Sequence, residues 1–74
     1  MKVTVKLFAT FRFGREKIQV MELSDEGTPK DVLANLGITP EEVAILLING
    51  RDGQFESQLK DGDVISLFPP VGGG

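Results

Sequence analysis

Residues 28–37, TPKDVLANLG, carry both the start and the stop of a helix, and the segments on either side alternate or run apolar as strands do. A chain with one signposted helix must bury that helix's apolar stripe against a sheet, which narrows the fold to a few α+β arrangements. Thr28 suits the N-cap, and Pro29 suits the first helical position, where its missing N–H leaves nothing unpaired. Asp31 favours the positive end of the helix dipole, and Gly37 is a ready C-terminal stop. Between these caps Val32, Leu33 and Leu36 fall on one face, and Ile38 closes the contact just beyond it.

The strands are read from their periods. Val3, Val5 and Leu7 alternate with Lys2, Thr4 and Lys6, so a first, half-buried strand runs over about 2–8. ATFRFGR breaks the pattern with Gly14 as the turn residue, and Ile18, Val20 and Glu22 mark a second strand in which Lys17, Gln19 and Met21 are the alternating positions. These two strands make a hairpin. Thr39-Pro40-Glu41-Glu42 repeats the cap-and-proline signal, but VAILLI follows at once, so a single short turn feeds a buried strand over 44–48, read as the centre of the core. Asn49-Gly50 and Asp61-Gly62-Asp63 are turns, the latter without the further ligands of a calcium loop. A last strand carries Val64, Ile65, Leu67 and Phe68 and ends at Pro69-Pro70, neither of which donates to a ladder. The first and last strands are too far apart in sequence to form a hairpin; if they pair, the connection through the helix allows them to run parallel.

Composition removes most kinds of chemistry. A chain of 74 residues is one small domain that buries only roughly 60% of its unfolded surface, so nearly every apolar residue, Ile18 and Val20 included, is committed to the core and little room is left for an internal cavity. It has no Cys, His, Trp or Tyr, so thiol catalysis, disulfides, thiolate or imidazole metal sites and imidazole general-base chemistry are unavailable to its side chains. Ser24, Ser57 and Ser66 have no histidine to activate them, and Lys60 lies among Asp61 and Asp63, so each reads as a surface or turn polar residue. No catalytic side chain of its own and no metal site is expected. The net charge is −3 and the eight basic residues are dispersed, so nucleic acid is not the expected partner. The start, MKVTVKLFATF, has no apolar core of signal-peptide length, and no segment is long enough to span a membrane; the expectation is a soluble, cytoplasmic protein.

The remaining feature is the end, FPPVGGG, residues 68–74. Glycine is costly to order and contributes nothing to packing, so three in a row form a tail that is either idle or needed for its thinness. The division is a body over 1–68 and a flexible tail over 69–74. Phe8 faces opposite to Leu7, and Phe68 stands at the root of the tail. One or both, with Pro69, Pro70 and Val71, are candidates for a partner-binding patch.

The order strand, strand, helix, strand, turns, strand, together with LKDGDVISLFPP and the glycine end, resembles the ubiquitin-like β-grasp roll, a mixed sheet with one main helix across it. Within that fold the chain resembles the sulfur-carrier family that includes the small subunit of molybdopterin synthase and the thiamine-biosynthesis sulfur carrier. LFATFR and FPPVGGG are similar to the molybdopterin synthase small subunits; EEVAILLINGR and the short helix look more like the thiamine carriers. The resemblance implies that Gly74 is the reactive residue, its carboxylate first joined to AMP and then converted to a thiocarboxylate. Gly72 and Gly73 would thread the tail into narrow channels. It also implies partners: an E1-like adenylating enzyme that uses ATP, a sulfur donor protein, and the large catalytic subunit of molybdopterin synthase or a thiazole synthase. No cofactor is implied on the carrier itself. Molybdopterin formation, thiazole formation, protein modification through an isopeptide bond, and a β-grasp interaction module with an idle tail are the functions left open.

Overall fold

The computed structural model describes residues 1–70. Five strands form one mixed sheet: β1 (Lys2–Leu7), β2 (Ile18–Glu22), β3 (Ile45–Ile48), β4 (Arg51–Asp52) and β5 (Val64–Phe68), in the order β2-β1-β5-β3-β4. The helix α1 (Pro29–Leu36) covers one face, and short 3-10 turns occupy Ala9–Arg12 and Pro40–Glu42. Strands β1 and β5 run parallel, with Val5 beside Ile65 and Leu7 beside Leu67, as the topology of the chain requires.

Local chemistry fixes the helix at both ends. The Thr28 N–H donates to the Asp31 carboxylate at 2.9 Å, and Gly37 takes the left-handed conformation at φ 74° that glycine adopts without a Cβ clash. Val32 and Leu33 point into the core with Val3, Val5, Leu7, Ile65 and Leu67 from the sheet, closed by Phe11, Ile38, Leu46 and Leu59. Asn49 and Gly50 have φ of 53° and 81°, the pair of positive values a two-residue hairpin turn needs, and they connect β3 to the two-residue β4. The Asp61-Gly62-Asp63 turn spends its carboxylates locally: Asp61 accepts the Lys2 N–H and Asp63 accepts from Asn49 Nδ2 and the Lys60 N–H.

Two expectations are corrected. Ile18 and Val20 do not face the core; they are 54% and 67% exposed. The antiparallel register pairs Lys6 with Ile18 and Thr4 with Val20, so both lie on the outer face, while Gln19 and Met21, opposite Val5 and Val3, turn toward the helix. A shift of one position exchanges the faces of a strand, and here the register wins over apolar identity. Nor is the strand of VAILLI the centre of the core: of Ile45–Ile48 only Leu46 is buried, while the side chains with no exposure lie on β1, β5 and α1. The centre of the sheet belongs to β5, bonded to β1 on one side and β3 on the other, so Leu46 is buried against the core and Leu47 lies half-buried on the outer face opposite Ser66.

Candidate functional site

The chain leaves the sheet from its centre. Because β5 is central, its end at Phe68 is held from both sides: the Leu67 carbonyl accepts the Phe8 N–H at 3.2 Å, and the Phe68 carbonyl accepts the Ala44 N–H at 2.8 Å. The segment that follows therefore starts from a rigid point. Residues 71–74, which include Val71 and the tail glycines Gly72, Gly73 and Gly74 singled out in the sequence, lie outside the described residues.

Around this exit the side chains sort into two groups. On the outer face Phe8 and Phe68 stack with ring centroids 4.2 Å apart and planes 10° from parallel. The Arg12 guanidinium sits 5.4 Å above the Phe8 ring while its Nε donates to the Leu7 carbonyl at 2.8 Å, so a hydrogen bond fixes the cation over the aromatic pair. Ile45 lies next to Phe68 across the β3–β5 ladder and is 49% exposed. Ile18 and Val20 are exposed on the same outer face but lie across Lys6 and Thr4 of β1 from this group. Isolated apolar residues on a surface are ordinary; a run of them on one sheet face is what a partner's surface needs.

On the other side of the exit, an open cleft of about 470 Å³ is lined by Thr10, Phe11, Arg15, Glu42, Pro69 and Pro70. Pro69 is buried in one wall and Pro70 is exposed at the rim. Arg15 bridges the helix end and the first turn: its Nε donates to the Leu36 carbonyl at 3.2 Å and its Nη1 to the Phe11 carbonyl at 3.3 Å. The Thr39 N–H and hydroxyl donate to the Glu42 carboxylate at 2.9 and 3.0 Å. These bonds hold its carboxyl below the usual carboxylate range against an opposing effect of desolvation, and the nearby Arg15 charge adds a lesser lowering.

Of the residues expected at a partner surface, Phe8 and Phe68 are thus brought together and half-exposed, Pro70 is accessible, and Pro69 is enclosed by the body. Phe11 is core at 4% exposure, Phe55 packs at the edge of the core, and Phe13 stands out at 77%. Sequence reasoning missed Arg12, Arg15, Glu42 and Ile45. Arg12 and Arg15 come into place only because the first 3-10 turn folds back over the end of β1, a placement no spacing rule reports. Among the described residues no group of three or more His, Cys, Asp or Glu could hold a metal, and no helix is long and apolar enough to cross a membrane.

Residues 5–74 match the ThiS family. Small archaeal modifier protein 3 of Haloferax volcanii is 35% identical over 94 aligned positions, with 100% of both chains covered. The structure of a Pyrococcus furiosus protein described provisionally as molybdopterin converting factor subunit 1 superposes with a TM-score of 0.76 at 31% identity, covering 96% of this chain and 99% of that one. A protein–protein complex of subunits 1 and 2 of molybdopterin-converting factor from Helicobacter pylori 26695 contains a chain that superposes with a TM-score of 0.65 at 30% identity over 100% of both. The protein belongs to the ThiS family, ubiquitin-like β-grasp proteins that act as small sulfur carriers or modifiers.

Proposed function

We propose that this member of the ThiS family carries sulfur on the carboxylate of Gly74 for molybdopterin formation, as the small subunit of a two-subunit synthase. An E1-like enzyme joins that carboxylate to AMP from ATP with release of pyrophosphate; a donor protein's persulfide then attacks the acyl carbon and expels AMP, and a protein thiol cleaves the resulting acyl disulfide, leaving the thiocarboxylate and a protein disulfide. The observation that carries the reading is the exit of the chain from the central strand between the Phe8–Phe68 stack and the Pro69–Pro70 cleft. A fixed root and an exposed apolar face let a partner grip the body while the end reaches into it. Glycine at 72–74 suits the reach, since any Cβ widens the chain and narrows its φ/ψ choices. The likeness to a subunit 1 over nearly the full length of both chains supports this partner class.

A second reading rests on a separate observation, the 35% identity to an archaeal modifier protein. In it the same activated carboxylate passes to lysine amines of other proteins as an isopeptide bond. Intact-mass analysis of the protein isolated from its native cells separates the two. The carrier reading expects a species with one oxygen replaced by sulfur; branched conjugates without such a species would refute it in favour of modification.

A further inference from the structure

We infer that the free edge of β2 is the contact of a two-fold homodimer, in which β2 of one chain pairs antiparallel with β2 of a second copy. The sheet has two edges, and they differ. β4 is only two residues long, whereas β2 offers five, IQVME, with no proline or glycine and an unbroken register against β1. Exposed edges of this kind are normally blunted by proline, a bulge or an inward-pointing charge. This one is not.

The hydrogen-bond phase shows which groups are free. Leu7 N–H donates to Lys17 C=O, and Met1 and Leu23 exchange both of their backbone bonds. In an antiparallel ladder the bonded pairs recur every second residue, so Lys17, Gln19, Met21 and Leu23 bond toward β1. Ile18, Val20 and Glu22 direct N–H and C=O away from the sheet, and among the described residues no hydrogen bond uses them. Their side chains share the outer face, where Ile18 is 54% and Val20 67% exposed.

The strand is complementary to itself. With Val20 facing Val20 of the second copy, Ile18 faces Glu22 of the second copy and the reverse holds by symmetry; each of these pairs exchanges both backbone bonds. The charges agree with that register. Lys6 lies beside Ile18 and Lys2 beside Glu22 within one chain. A row across the joined outer face therefore reads Lys6, Ile18, then Glu22 and Lys2 of the second copy. Each Glu22 lies beside Lys2 of its own chain, with Lys6 of the other chain two strand spacings away beyond Ile18, and no like charges meet. A dimer of this form keeps both helices on one side. The ends of the two β5 strands are five strand spacings apart, about 24 Å, and point in opposite directions. The ends of both β5 strands are left clear of the contact, so the inference does not depend on the tail.

So short a contact gives a weak dimer, with a Kd expected on the order of 10–1000 μM. The test is sedimentation of the full chain from about 10 μM to about 1 mM, with amide exchange measured by NMR at both ends of the range. The expected result is a mass that rises toward twice the monomer value, with slowed exchange at Ile18, Val20 and Glu22 and no change at Gln19 and Met21. Val20→Pro removes a free N–H without touching the β1 ladder, and Val20→Lys sets like charges face to face on the two-fold; both should abolish the rise. A constant monomer mass would overturn the inference. So would association that leaves those three amides unprotected, or protection that arises only when a different protein is added, which would assign the edge to that protein. If either variant fails to fold, the wild-type amides still decide.

Discussion

Leu46 and Leu47 are adjacent, chemically identical and on opposite faces of β3, so truncating each in turn measures the sheet's two environments in one strand. Leu46 is 7% exposed and sits opposite Leu67 in the core; Leu47 is half-buried opposite Ser66 and Asp52. Removing a buried leucine to alanine costs about 2–5 kcal/mol, of which part is the cavity left behind. Leu46 belongs to the buried core cluster together with Leu33, Leu59 and Leu67, so collapse around the hole is limited and about 3 kcal/mol is expected. Leu47→Ala deletes contacts on an open face, leaves no enclosed hole, and should cost about 1 kcal/mol. For a domain of this size each kcal/mol lowers the melting temperature by about 4–8 °C. Leu46→Ala should therefore melt about 10–25 °C lower than wild type and Leu47→Ala no more than about 8 °C lower. Urea and thermal unfolding followed by far-UV circular dichroism reads both, since the chain has no Trp or Tyr to report by absorbance or fluorescence. Equal losses, or a larger loss at Leu47, would show that the face assignment of β3 is wrong.

Deleting Gly74 should leave the melting temperature unchanged and abolish pyrophosphate exchange with the activating enzyme, while Gly73→Val keeps the carboxylate and tests the need for a bare chain; wild-type exchange in both would remove the basis for the carrier reading. Asp31→Ala loses the acceptor for the Thr28 N–H and should cost about 1 kcal/mol in urea unfolding; no change would mean that the cap does not hold α1. Glu42 is bonded by Thr39 in its ionised form and its folded pKa is lowered, so its contribution is present above the unfolded pKa and is lost as pH falls through the folded value. The stability difference between wild type and Glu42→Ala should therefore shrink from about pH 6 to about pH 3; a difference that grows on acidification would reverse the sign of the argument.

What could be read from the sequence is what is decided within a few residues. The Thr28–Gly37 helix, the Pro40–Glu42 turn and the Asn49-Gly50 reversal each depend on neighbours in the chain, and they stand where their signals placed them. Connectivity allowed the first and last strands to run parallel if they paired, and β1 and β5 do pair so. The errors concern positions that depend on a partner strand. Apolar identity pointed Ile18 and Val20 inward, whereas the pairing of Val3 with Met21 and Val5 with Gln19 sends them outward; the length of VAILLI pointed to the centre of the core, whereas the side chains with no exposure lie on β1, β5 and α1. Pro69 looked like the first residue of a tail because no strand contains it, yet the wall formed with Phe11 and Arg15 encloses it. The misses in the strands have one physical source. Local patterning assumes that every β-branched residue seeks the domain's own core, and Ile18, Val20 and Ile45 do not; their exposure has no stabilising role within one chain. Sequences depart from self-consistent folding where a surface is kept for something else. The outer face beside the Phe8–Phe68 stack and the open edge of β2 are the two places where this chain does so, and both border the strands that position its exit.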